Sequence, residues 1–187
     1  APLRLVGVSD EEVGSPEGRP LIERVIAGCG SCLVFESGRG NDAIVTQRKG
    51  TGAVTVTAHG KAAHAGNNHA DGANALWALA RFVDRAQGLT DYPRGVTVNV
   101  GKVTGGQGKN TVPDLAVAEL DIRFQSRADA EGLMKQLHFC AQEAPVPGTQ
   151  LEISGGPSRL PMERTEASAK LLAAYAACAR APGLGGA

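Results

Sequence analysis

The sequence predicts an α/β protein in two parts, a parallel-sheet βαβ piece followed by a ferredoxin-like βαββαβ module. Three observations carry this expectation. The first forty residues read as strand, helix, strand; the residues after 50 read as β-α-β-β-α-β; and the acidic residues Asp10, Glu11, Glu12 and Glu36 each follow an apolar run.

Leu3 to Val8 is a short, mostly β-compatible apolar run, and Leu33-Val34-Phe35 is a second. Between them, Pro16 to Ile26 carries Leu21, Ile22, Val25 and Ile26 at helical spacing. Ser15-Pro16 supplies the start signal and Gly28 the stop. Strand, helix and strand in that order predict parallel strands joined by a right-handed crossover. Ligands of open parallel sheets bind beyond the carboxyl ends of the strands, which is where this reading puts Asp10 to Glu12 and Glu36. A simpler role is also open to Asp10, Glu11 and Glu12: acidic groups ahead of a helix favour its positive N-terminal end.

The second module begins with Ala53 to Ala58, a strand by its β-branched content and alternation. Gly72 to Ala86 follows as a helix, with Leu76, Leu79, Ala80 and Val83 expected on one face and Trp77 beside them. Val96 to Val100 and Ala116 to Phe124 read as strands, joined by a Gly- and Lys-rich hairpin loop, Gly101 to Lys109. Ser126 to Gln142 is a helix carrying Leu133, Leu137 and Cys140, and Leu151-Glu152-Ile153 closes the module as a strand. That order is the ferredoxin-like arrangement. Thr165 to Arg180 is a further helix, ahead of an abrupt Pro182-to-Ala187 end.

Composition narrows the function classes. The 187 residues carry 19 basic and 19 acidic side chains, with no like-charge block of the kind a nucleic-acid binder presents. No apolar run approaches the roughly 20 residues that span a bilayer. The start, Ala1-Pro2 leading directly into an apolar run, has no signal-peptide pattern and suggests a piece of a larger protein, which leaves cytoplasm and periplasm both open. Cys29-Gly30-Ser31-Cys32 has CxxC spacing without the second pair of a zinc ribbon, and it falls between a helix end and a strand. Its cysteines are expected as small turn residues, with a disulfide as the alternative.

Four stretches resemble the dinuclear zinc aminoacylase/carboxypeptidase family, and most closely its bacterial glutamate carboxypeptidase branch. They are Ser9-Asp10-Glu11-Glu12-Val13-Gly14-Ser15, Leu33-Val34-Phe35-Glu36, Gly60-Lys61-Ala62-Ala63-His64-Ala65-Gly66, and Asn110-Thr111-Val112-Pro113 with Asp121-Ile122-Arg123. The resemblance implies a partial parallel-sheet zinc-exopeptidase catalytic domain over 1–49, a ferredoxin-like dimerisation domain inserted into it over 50–158 and a return helix over 159–187. It implies two zinc ions, a peptide or N-acyl amino acid as substrate, and a homodimer formed through a sheet edge and a helix.

By the same resemblance, Glu11 is the general base that takes a proton from a metal-bound water, while Glu12 and Glu36 each ligate one zinc. His64 hydrogen-bonds the developing oxyanion, in several relatives across the dimer. Arg123 grips the substrate carboxylate with Asn110 in support. Read without the resemblance, His64 is a strand-end histidine bonded to backbone, Arg123 an outward charge on a sheet and Asn110 a turn former. His59, His69 and His138 are expected to be structural or solvated.

The family's further metal ligands lie before the Asp-Glu-Glu motif and after a Gly-Gly-Ser-Asp segment, outside these residues. The chain is therefore expected to bind zinc weakly and to be inactive alone. Acyl-amino-acid deacylation, as in acetylornithine deacetylase or succinyl-diaminopimelate desuccinylase, is the alternative activity. A purely dimerising or ligand-binding module is the alternative from another class.

Overall fold

A computed structural model describes residues 3–35, 44–143 and 146–180. The chain divides into two compact units, Ala1–Ile44 with Lys170–Ala187, and Val45–Ala169.

The larger unit is a four-stranded sheet with helices on one face. Its strands are β1 (Gly50–His59), β3 (Thr97–Gly105), β5 (Leu115–Phe124) and β6 (Gln150–Arg159), in the order β3-β5-β1-β6. Each pairing in this sheet is antiparallel. Helices α2 (Ala75–Gln87) and α3 (Arg127–Glu143) complete the βαββαβ order, so the ferredoxin-like arrangement read from the sequence is the one observed. A separate two-stranded sheet pairs β2 (Ala63–His64) with β4 (Thr111–Val112). These two strands are absent from the sequence reading, since two residues are too few to show any period.

Alternation along the strands decides which face is covered. On β5, Ala116, Ala118, Leu120, Ile122 and Phe124 are buried, while Glu119 and Arg123 between them are exposed. Val54, Val56 and Ala58 of β1 join the same core. Gly50 stands opposite Phe124 in the register, and a Cβ there would run into the phenyl ring. The glycine is thus the space into which Phe124 packs.

Helix α2 buries Ala75, Ala78, Leu79, Phe82 and Ala86, a face that shares Leu79 and the half-buried Val83 with the expected one but is rotated away from Leu76 and Ala80. Leu76 is 38% exposed and Trp77 57%, and Ala80 is exposed as well. Small residues won the inner face because alanines bring the helix close to the sheet and leave the volume to Phe82. The Asn74 side chain caps this helix by accepting the Trp77 N–H at 2.8 Å. Helix α3 buries Ala130, Leu133, Leu137 and Cys140. It opens with a reciprocal cap, in which the Asp129 N–H donates to Ser126 Oγ at 3.0 Å and that hydroxyl donates to Asp129 Oδ2 at 2.7 Å. Burial pushes the Cys140 thiol above its ordinary pKa, against a smaller opposing effect of Arg85, which marks it as an unreactive core residue.

The strands run longer than the sequence suggested, β3 and β6 most of all. The expected loop over 101–109 is strand as far as Gly105, because Lys102 to Gly105 pair with Glu119 to Ala116 across a bulge at Gly101. Strand β6 extends to Arg159 through Gly155 and Gly156, whose φ values of +82° and +145° suit glycine.

The smaller unit departs from the expected strand-helix-strand. Helix α1 spans Gly18–Ile26, but neither 3–8 nor 33–35 is a strand. A strand requires a partner backbone, and none pairs with these segments among the described residues. Their side chains stand open accordingly, Leu3 at 94%, Leu5 at 93%, Val34 at 81% and Phe35 at 80% exposure. Helix α4 (Glu166–Arg180) is capped by Thr165 and Ser168, each hydroxyl accepting the other's N–H at 3.1 and 2.9 Å. Among the described residues, no helix is long and apolar enough to cross a membrane.

Candidate functional site

The acidic stretch folds as a 3-10 turn, Glu11–Val13, ended by Gly14 at φ +91° and Ser15 at φ +54°. Consecutive left-handed residues turn the chain sharply into α1, and Ser15, with its Cβ, holds a conformation that L residues seldom adopt. Asp10 is committed to the helix. Its Oδ2 accepts the backbone N–H of Gly18 at 2.8 Å and of Glu17 at 2.9 Å. The Gly18 bond draws the Asp10 pKa below its ordinary value, assisted by Glu17 and opposed by desolvation. The helix-end role left open for the triplet is therefore the one Asp10 performs. A Cβ on Gly18 would collide with Asp10 Oδ1, so the cap requires glycine at that place.

Glu11 and Glu12 are exposed on the turn, and their carboxylates make no hydrogen bond or ion pair among the described residues. Glu36 lies outside the described residues. The donor chemistry of Glu12 fits zinc, which takes carboxylate oxygen. The number of donors is incomplete, since no group of three His, Cys, Asp or Glu converges among the described residues. Cys29 and Cys32 are free and exposed beyond the end of α1.

In the larger unit, His64 and Asn110 are brought together. The β2–β4 register pairs His64 with Thr111, and the Ala65 N–H donates to the Asn110 carbonyl at 2.9 Å. Both side chains are exposed. His64 Nδ1 accepts two backbone donors, the N–H of Gly66 at 3.1 Å and of Asn67 at 3.1 Å. An imidazole nitrogen that accepts is unprotonated, so the neutral ring carries its proton on Nε2. The turn after β2 thereby fixes one tautomer and leaves Nε2–H as the donor. This backbone contact matches the plain reading of His64 and, at the same time, orients it as a donor.

Arg123 sits elsewhere. It projects from the uncovered face of the sheet, 45% exposed, and grips Asp121 through two bonds, Nε to Oδ1 at 2.7 Å and Nη2 to Oδ2 at 2.8 Å. The sequence reading gives Asp121 no role of its own, although residues two apart on a strand share a face and Asp-Ile-Arg has that spacing. His59 pairs with Glu152 at 3.7 Å across β1 and β6. Arg123 lies toward the end of β5 remote from His64 and Asn110, because β4 leads into the start of β5 at Leu115. Arg123 stands eight residue steps along the strand from Leu115, which is roughly 27 Å.

These features fall within one recognisable domain. Residues 46–149 match the family described as the peptidase dimerisation domain, and the chain belongs to that family. Over 85 residues it is 34% identical to a Haemophilus influenzae homolog of p-aminobenzoyl-glutamate hydrolase, a match that covers 45% of this chain and 20% of the relative. Over 124 residues it is 32% identical to an acetylornithine deacetylase of Myxococcus xanthus, covering 60% and 32%. The chain thus spans a third or less of the length of each of these curated relatives. Among solved structures it is similar to an aminobenzoyl-glutamate utilization protein from Klebsiella pneumoniae, with TM-score 0.58 and 27% identity over 74% of this chain and 35% of that one. An aminopeptidase from Bacillus cereus superposes at TM-score 0.64, covering 76% and 38%; at 18% identity it speaks to the fold alone.

Proposed function

We propose that the protein is a zinc-dependent amide hydrolase acting on a substrate with a free carboxylate, of the glutamate carboxypeptidase type. The observation that carries this reading is the tautomer of His64: a fixed Nε2–H is a donor suited to an oxyanion forming on an amide carbonyl. Glu11 acts as general base, taking the proton of the attacking water and passing it to the leaving amine. Glu12 and Glu36 hold the metal, one ion each, with the remaining ligands coming from other residues. When bound, zinc lowers the pKa of the attacking water and polarises the carbonyl. Arg123 binds the substrate carboxylate through its planar fork, exchanging Asp121 for the ligand.

The domain joins two copies in this reading. The distance between the ends of β5 supports it. If Arg123 and Asn110 both serve one carboxylate, a sheet that keeps them apart must supply them from two copies. N-acyl-amino-acid deacylation is the second reading, favoured by the 32% identity to an acetylornithine deacetylase.

The test is hydrolysis of folyl-glutamate and of N-acetyl amino acids by the full protein with zinc, wild type against Glu11→Gln. We expect a rate loss of about 10²- to 10⁴-fold in the variant. Undiminished activity in Glu11→Gln rules out this base, and the preferred substrate separates peptidase from deacylase. Absence of activity toward both classes in the wild type favours a purely binding role.

A further inference from the structure

Asp10 gathers more of the chain onto itself than a helix cap requires. Its backbone carbonyl accepts the N–H of Val13 at 3.3 Å and of Ser15 at 2.8 Å. Its Oδ2 accepts the N–H of Glu17 at 2.9 Å and of Gly18 at 2.8 Å. The carbonyl thus closes the turn, and the carboxylate ties that turn to the start of α1. Glu11 and Glu12, exposed and unbonded through their carboxylates among the described residues, take their placement from the backbone that Asp10 holds.

This hold has local costs. Asp10 Oδ1 is buried with no hydrogen-bond partner among the described residues, and Ser15 keeps φ at +54°. An unpaired buried oxygen and a left-handed L residue are both unfavourable. A helix start needs neither, since a serine or asparagine on a relaxed chain supplies the cap. What the two features secure is the sharp return from Glu12 to α1, and with it the directions in which the acidic pair leaves the turn. Successive side chains of a 3-10 turn diverge by about 120°, so a fixed turn keeps Glu11 and Glu12 on separate tasks.

We propose, resting on the reading of Glu11 as base and Glu12 as metal ligand, that Asp10 is a positioning residue for both. Through the four N–H groups it accepts, it holds the turn in the one form that aims Glu11 at water and Glu12 at metal. Gly18 belongs to the same arrangement, because a Cβ there would strike Asp10 Oδ1 and the Val8 side chain.

The experiment uses the full protein and compares wild type with Asp10→Ala, Asp10→Asn, Gly18→Ala and the double variant Asp10→Ala/Gly18→Ala. Zinc affinity is measured by competition with a chelator, and kcat is expressed per zinc-loaded site. Asp10→Ala should weaken zinc binding and lower kcat, each by about 10- to 100-fold, the usual loss when a group behind a metal ligand is removed. KM should change little. Asp10→Asn keeps one side-chain oxygen for the two N–H donors and should recover part of both losses. Gly18→Ala should show the same signature although Gly18 has no side chain to offer the site. The double variant should be no worse than Asp10→Ala, since one tie cannot be lost twice.

A folded Asp10→Ala with wild-type zinc affinity and kcat overturns the proposal. So do losses that disappear once counted per loaded site, the mark of simple unfolding. If Asp10→Ala does not fold, Gly18→Ala decides, and wild-type values there overturn it. Undiminished activity in Glu11→Gln instead overturns the reading of the base, and zinc affinity then judges Asp10 through Glu12 alone.

Discussion

Asp10 accepts the backbone N–H of Gly18 at 2.8 Å and so ties the acidic turn to the start of α1. Because these bonds favour the charged carboxylate, the folded-state pKa lies below the unfolded one. The stabilisation is then fully present above the unfolded value of about 3.9 and is lost as pH falls through the lower, folded value. Asp10→Asn should be less stable than wild type near neutrality, with the two unfolding curves converging in acid. Gly18→Ala should show the same loss with the carboxylate intact, since its Cβ displaces Asp10 Oδ1. Helicity followed by circular dichroism against pH checks both.

The buried face of α2 gives a sharp contrast in stability. Phe82 is wholly buried and Trp77 is 57% exposed. Phe82→Ala should cost about 3–5 kcal/mol, and Trp77→Ala under about 1 kcal/mol. Urea unfolding followed by circular dichroism reads both, and equal losses would contradict the helix orientation.

For His64, the prediction separates orientation from presence. His64→Ala should lower kcat by about 10²- to 10³-fold, with little change in KM, as expected for a donor used in the transition state. Asn67→Pro removes one of the two N–H donors that fix the ring; it should lower kcat by less. Steady-state kinetics of the full protein with zinc are the check.

Arg123 and Asp121 form an exposed pair whose contribution to stability is small. Arg123→Lys should change stability by under about 1 kcal/mol. Loss of the planar fork should raise KM for a carboxylate-bearing substrate by about 10- to 100-fold. Substrates lacking the carboxylate should react alike with both proteins, which distinguishes a binding role from a structural one.

The larger unit was legible because its signals are local and repeated. Val54, Val56 and Ala58 alternate against threonines, and Leu133 and Leu137 recur at helical spacing before Cys140. Its misreadings came where packing overrides pattern. The alanines of α2 look neutral in sequence, yet they are the inner face because a close approach to the sheet needs small residues. The bulge at Gly101 hid four residues of strand behind a glycine. In the smaller unit, the apolar runs at 3–8 and 33–35 have the composition of strands, but β structure depends on a partner that periodicity cannot supply. The site was partly readable. Asp-Glu-Glu stood out as residue types, whereas the assignment of Asp10 to the helix end and the His64 tautomer depend on backbone donors at Gly18, Gly66 and Asn67 that no side-chain motif encodes.

Strand β5 behaves as a ruler. It is hydrogen-bonded on both sides, to β3 and β1, so its length is not free to vary. Removing two residues from β5 and from each neighbour would draw Arg123 about 7 Å nearer to the His64 end without altering either group. A protein so shortened would keep both side chains and lose part of the separation that, in the two-copy reading, keeps a single copy from supplying both to one carboxylate.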